Sequence, residues 1–259
     1  MRALRFGALL AVTVLTGMGP VAAGARPVPA AVDVEEDCAE RSPATYSTEV
    51  AQGTAGHLDL DALFLLDGIR RADAERVVAR AAESYAPLEI TVVPRLRKLS
   101  FAGDAGGASA PVDDLMAAAK QAVGGERPAG IDVVHVLTRK DIYLQPNDGL
   151  NGMADCLGGV RYPSRAFSVS ELFVVDEPGS ERGDGHGAMI TAHEIGHLLG
   201  GHHEYANCAE GPAPSVCTLM FPYYLGNFGP GLGVPVNSQT FGTLEAAVVR
   251  GYTEDFAAP

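Results

Sequence analysis

Apolar runs and amphipathic stretches succeed one another along most of this chain. Residues 58–61 alternate Leu and Asp and run on into an apolar stretch to Leu66, which predicts a strand opening the globular part. Residues 72–85 set Val77, Val78, Ala81 and Tyr85 at helical spacing among Arg and Glu. Residues 88–93, bounded by Pro87 and Pro94, are rich in β-branched side chains and read as a second strand. A loop over 103–108, a helix over 113–123 and a continuously apolar, buried strand over 131–137 follow. The glycine-rich stretch 149–160 contains strand-like pieces, 166–175 reads as a further strand, and 176–184 as an acidic loop. A helix over 188–199 is ended by Gly200-Gly201. Residues 205–237 are dense in Gly and Pro, and 240–250 form a closing helix. No internal repeat interrupts this α/β order.

The first 25 residues do not fit that pattern. Arg2 and Arg5 precede an apolar run from Phe6 to Met18, and Ala23-Gly24-Ala25 supplies small residues for cleavage, the order of a secretory signal peptide. The apolar run is shorter than the ~20 residues a spanning helix needs. The mature chain is therefore expected to be secreted after cleavage near Ala25, with no membrane anchor. Residues 26–56, rich in Pro, Ala, Glu and Thr, read as an extended leader, and 57–259 as the folded domain.

Composition narrows the class further. With 259 residues, 47% hydrophobic and 20% charged, the chain can bury a sizeable core, which excludes a disordered or fibrous protein. A net charge of −13 repels phosphate backbones and anionic lipid surfaces, so nucleic acid is not an expected partner. A monomer is expected. Four cysteines in an exported chain imply two disulfides among three connectivities. Cys208 and Cys217 flank a short Gly-Pro loop and are the cheapest pair to close, which leaves Cys38 with Cys156. The competing role for Cys38 is a thiolate in the leader that caps a metal and maintains latency.

The chemistry lies in the helix over 188–199. His193 and His197 in His193-Glu194-Ile195-Gly196-His197 are one turn apart on one face, so both imidazoles can reach one Zn²⁺. Glu194, beside the first ligand, is placed to act as a base without ligating. Gly200 permits a turn at positive φ that returns His203 as third ligand, leaving the fourth position open.

The run HEIGHLLGGHH matches the extended H-E-x-x-H-x-x-G-x-x-H signature of the metzincin zinc endopeptidases, and Met220 stands where that group has its Met-turn. Within the metzincins the chain most resembles the adamalysin/reprolysin family. It has Cys208 five residues after His203, Cys217 three before Met220, an edge-strand-like segment at 152–159, and a closing helix. The resemblance spans residues 58–252. It implies an α/β (α+β) fold with a twisted mixed sheet and the active-site helix in an upper lobe. A small irregular lower lobe carrying the Met-turn begins at Gly201. It further implies one catalytic Zn²⁺ on His193, His197 and His203, Glu194 as general base, Met220 packed beneath the metal, and a peptide lying along 152–157. No motif designates a calcium requirement. Some metzincins place a metal-proximal Tyr two residues after the Met. Here that position is Pro222, so Phe221, Pro222, Tyr223 and Tyr224 are expected to line the substrate pocket instead. His202 is expected to face solvent or support the site, and His57, His135 and His186 to have ordinary surface or core roles. Two other functions share these residues: a secreted zinc amidase acting on cell-wall peptides or other small amides, and a non-catalytic peptide-binding relative, which would have no need of Glu194.

Overall fold

A strand whose two faces are both covered is apolar at nearly every position, and residues 62–66 meet that condition inside the sheet. The computed structural model describes residues 38, 56–99, 108–145, 150–172, 181–203, 208–209, 216–221 and 236–257, all within the compact unit Asp33–Pro259. The expected signal peptide, and the leader apart from Cys38 and Gly56, fall outside these residues, as do Pro222, Tyr223, Tyr224 and most of the 103–108 loop.

Five strands form the main sheet: β1 (Leu58–Asp67), β2 (Ile90–Lys98), β4 (Val133–Thr138), β6 (Gly152–Ala154) and β7 (Phe167–Glu171), in the order β2-β1-β4-β7-β6. The pairings of β1 with β2, β1 with β4, and β4 with β7 are parallel, while β6 runs antiparallel to β7 at the edge. The sheet is thus mixed. Alternation along the strands divides the core. Leu60, Ala62, Phe64 and Leu66 face one layer with helices α1 (Arg71–Ala82) and α3 (Glu181–Leu198). Leu63, Leu65, Val134, Val136, Phe167 and Val169 face the other, against Leu115, Met116 and Ala119 of α2 (Val112–Val123). Outside this sheet, β3 (Ser109–Pro111) pairs with β5 (Asp141–Tyr143). Short strands β8 (Cys208–Ala209), β9 (Val216–Cys217) and β10 (Val236–Asn237) form a three-stranded sheet.

The first helix ends at Ala82, short of the expected Tyr85, and two others run beyond their expected bounds. Helix α3 begins at Glu181, inside the stretch read as an acidic loop. Gly183, Gly185 and Gly187 each weaken a helix by roughly 1 kcal/mol relative to Ala, which hides it from propensity. Close packing compensates: a Cβ on Gly187 would meet Leu172, and one on Gly185 would lie 3.2 Å from the guanidinium carbon of Arg80 on α1. The closing helix α4 (Thr243–Phe256) continues past Arg250 because its later turns are also packed. Tyr252 is buried against Gly158 and Gly200, and its ring lies tilted against that of Phe256, with centroids 5.2 Å apart.

Cys38 and Cys156 form a disulfide, and the Cys38 N–H donates to the Leu157 carbonyl at 2.9 Å, tying the N-terminal arm to the exit of β6. Cys217 is disulfide-bonded, and the register of β8 on β9 sets Cys208 opposite it.

Buried polar groups mark the end of β7. Glu171 is buried; its backbone N–H donates to Asn151 at 2.8 Å, and Oε2 accepts no hydrogen bond among the described residues. Burial, and then the charge of Asp141, push its carboxyl up to about 7, partly offset by a hydrogen bond from the Ile142 backbone. The fold therefore favours the protonated acid. Its contribution to stability is full below the ordinary pKa of 4.5 and is lost as pH rises through about 7. Glu171→Gln is expected to raise the thermal midpoint relative to wild type at pH 8 and to leave it nearly unchanged at pH 4.5. Equal shifts at the two pH values would contradict this.

Candidate metal centre

Helix α3 presents His193 and His197 one turn apart, and the way the helix ends supplies the third histidine. Gly200 adopts φ +81, and the N–H groups of Gly200 and Gly201 donate back to His197 and Gly196 at 2.9 Å each. A side chain at Gly200 is excluded twice, by that φ and by Tyr252, whose Cδ2 and Cε2 would lie 2.6 Å from a Cβ. The chain leaves the helix there and returns His203 to the helix face.

The three Nε2 atoms converge: His193 to His197 is 2.9 Å, His197 to His203 3.1 Å, and His193 to His203 3.3 Å. Their tautomers follow from their other partners. A carbonyl can only accept, so His193 Nδ1–H donates to Leu219 at 2.7 Å and His197 Nδ1–H donates to Gly201 at 2.6 Å. In the neutral rings, both Nε2 atoms then carry lone pairs aimed at each other. Burial, and then the neighbouring His203, push His193 down to about 3; burial, His193 and His203 push His197 well below its ordinary value. Two such rings cannot hydrogen-bond through Nε2, whereas a cation between them satisfies both. Tetrahedral ligands ~2.0–2.1 Å from Zn²⁺ sit about 3.3 Å apart, within a few tenths of the distances found. The residues fit the ion.

Glu194 is buried on the side of α3 that faces β6. Its charge adds to burial in pushing the Tyr85 phenol well above its ordinary value. Met220 is fully buried below the helix end: its Sδ would lie 3.0 Å from a Cβ on Gly196, and its Cε 3.3 Å from one on Gly201. The adjacent Leu219 provides the carbonyl that orients His193. Phe221 is half-buried after this turn.

The remaining histidines separate clearly from the triad. His202 is half-buried and outside the cluster. His57 is exposed and bonds Thr91 Oγ1 at 2.9 Å. His186 is buried on α3, and burial pushes it down to about 4. His135 is buried in β4, with Nδ1 at 2.7 Å from Ser168 Oγ and Nε2 at 2.8 Å from Ser170 Oγ. Burial pushes it down to about 3, so it is a neutral core histidine. Sequence patterns did not reveal that Ser170 Oγ continues this chain to Thr191 Oγ1 at 3.0 Å, or that Tyr85 O–H donates to the Ala192 carbonyl at 2.7 Å. These partners lie on different elements, and only the fold brings them together.

A mixed sheet with an antiparallel edge strand, a helix beneath it, and three histidines converging at that helix's end define a metzincin-type, metallopeptidase-like protein. The family model described as "Metallo-peptidase family M12B Reprolysin-like" matches residues 72–204, just over half of the chain. The protein belongs to that family. Among solved structures it is similar to the archaemetzincin of Methanopyrus kandleri, with a TM-score of 0.54, 16% identity, and 78% of this chain and 98% of that one covered. The malonate-complexed archaemetzincin of Archaeoglobus fulgidus gives a TM-score of 0.42 at 20% identity, covering 62% of this chain and 85% of that one. A zinc-dependent peptidase from Methanocorpusculum labreanum gives 0.38 at 17% identity, covering 62% and 87% respectively. The first of these likenesses concerns the fold alone. No curated protein matches the sequence.

Proposed function

We propose that this protein is a secreted zinc-dependent endopeptidase with Glu194 as general base. The observation that carries this reading is the convergence of three histidine Nε2 atoms, two of them with Nδ1 committed to carbonyls, on the helix that also carries the buried Glu194. His193, His197 and His203 would hold the ion. Zinc, when bound, supplies a Lewis acid that brings the pKa of a coordinated water near ~7 and polarises a carbonyl. Glu194 takes a proton from the attacking water at its carboxylate and hands it to the amine nitrogen as the C–N bond breaks. Leu219 and Gly201 keep His193 and His197 in the ligating tautomer throughout. Strand β6 is the last strand of the sheet, so an extended peptide can add to its outer edge through main-chain hydrogen bonds.

The finer features of the reading go with it. Met220 forms the Met-turn of a small lower lobe beginning at Gly201, Phe221, Pro222, Tyr223 and Tyr224 line the substrate pocket, and Cys208 pairs with Cys217. Residues 1–25 direct export and are removed near Ala25, 26–56 form the leader, and 57–259 the catalytic domain of a monomer. The arginine-apolar-small order of the N-terminus supports export. No helix among the described residues is long and apolar enough to cross a membrane.

Incubating the zinc-loaded protein with a denatured protein library and reading new termini by mass spectrometry tests this function. Internal cleavages that o-phenanthroline abolishes are expected. An intact library, with peptides released when the same protein is given purified cell wall, would replace the endopeptidase reading with the amidase one.

A further inference from the structure

His193 and His197 are oriented by carbonyls on their Nδ1 atoms, and Glu194 lies against a glycine. Gly152, the first residue of β6, lies against its side chain. A Cβ built on Gly152 would fall against Glu194 Oε1, 2.6 Å from Cγ and 2.7 Å from Cδ, and these are its three nearest heavy atoms. No side chain larger than hydrogen fits there while the carboxylate keeps its place.

The helix cannot yield to relieve such a contact, because its backbone is fastened on both sides of residue 194. Thr191 Oγ1 is hydrogen-bonded to Ser170 Oγ at 3.0 Å, with His135 behind Ser170. The Ala192 carbonyl accepts from the buried Tyr85 hydroxyl at 2.7 Å, and the His197 carbonyl accepts from the Gly158 N–H at 2.8 Å. The strand is fixed as well, since Gly152 pairs with Ser170, the residue that anchors Thr191. With strand and helix locked together, an added methyl group can be accommodated only by turning the Glu194 side chain away.

We propose that Gly152 is a positioning residue for Glu194: its missing side chain lets the carboxylate rest on the edge strand, so base and strand-bound peptide share one frame. This rests on the reading of Glu194 as general base. Gly152 acts through Glu194 and contributes nothing to metal binding.

The test is a double-mutant cycle of Gly152→Ala with substitutions at Glu194, on zinc-loaded protein. Gly152→Ala is expected to keep one zinc per chain and a KM within ~3-fold of wild type while kcat falls by ~10² or more, the lower end of what a general base contributes. Placed on Glu194→Gln, it should cost no further activity. A second measurement is independent of catalysis. Gly152→Ala should lower the thermal midpoint of the wild-type background and leave unchanged or raise that of Glu194→Ala, where the colliding atoms are gone. Equal midpoint shifts in both backgrounds would overturn the proposal, as would zinc-loaded Gly152→Ala with wild-type kcat. Wild-type protein that cleaves no peptide would overturn the peptidase reading alone, and the midpoint cycle would then decide the role of Gly152.

Discussion

Glu194→Gln is expected to lower peptide hydrolysis by at least about three orders of magnitude while leaving the metal bound. The substitution keeps the size of a side chain buried against Gly152, so neither the helix nor the edge strand has cause to shift. What it removes is the capacity to accept a proton. General-base catalysis contributes ~10²–10⁴-fold, and the same carboxyl also serves as acid toward the leaving amine, so both halves of the reaction suffer. A thousandfold loss corresponds to about 4 kcal/mol of lost transition-state stabilisation. It should fall on kcat, because the edge of β6 is untouched and KM should change little. Near-wild-type turnover in a zinc-loaded, folded variant would remove Glu194 from the mechanism.

The second large effect concerns neighbouring histidines that differ only in position. His203→Ala should weaken zinc binding by more than ~100-fold, beyond the ~10–100-fold typical of losing a supporting residue, because it removes one of three converging nitrogens. His202→Ala should change affinity by no more than a few-fold, since its ring stands outside the cluster. Competition with a chelating dye measures both. A hundredfold loss of affinity also removes up to about 2.7 kcal/mol of zinc-linked stability, so the rise in thermal midpoint on adding zinc should shrink in His203→Ala alone. Equal losses in the two variants would make the ligand assignment wrong.

The sequence exposes this site because its three ligands fall within eleven consecutive residues and its geometry is the geometry of a helix end. Spacing along α3 and one glycine at φ +81 suffice to bring His193, His197 and His203 together. Strands β1 and β4 were legible for a related reason: burial on both faces leaves a continuous apolar run that can be read directly. The first turns of α3 were not legible. Their glycines argue against a helix locally, and the compensating contacts come from Leu172 and Arg80 on other elements. Residues that steady the site were hidden in the same way. Tyr85 showed its apolar ring as a helical core position, while its hydroxyl partner lies 107 residues away. Gly152 stood in a segment recognisable as an edge strand, but its proximity to Glu194 arises only when strand and helix pack. Local periodicity carries the ligands, and tertiary packing carries their precision.

If His193, His197 and His203 hold one zinc ion through Nε2, metal analysis of gently purified protein with X-ray absorption at the zinc edge will show it. One zinc per chain with three nitrogen neighbours at ~2.0–2.1 Å is expected, and a site that empties when His203 is replaced. Correctly folded protein with no stoichiometric zinc, which takes up none when it is supplied, would contradict it.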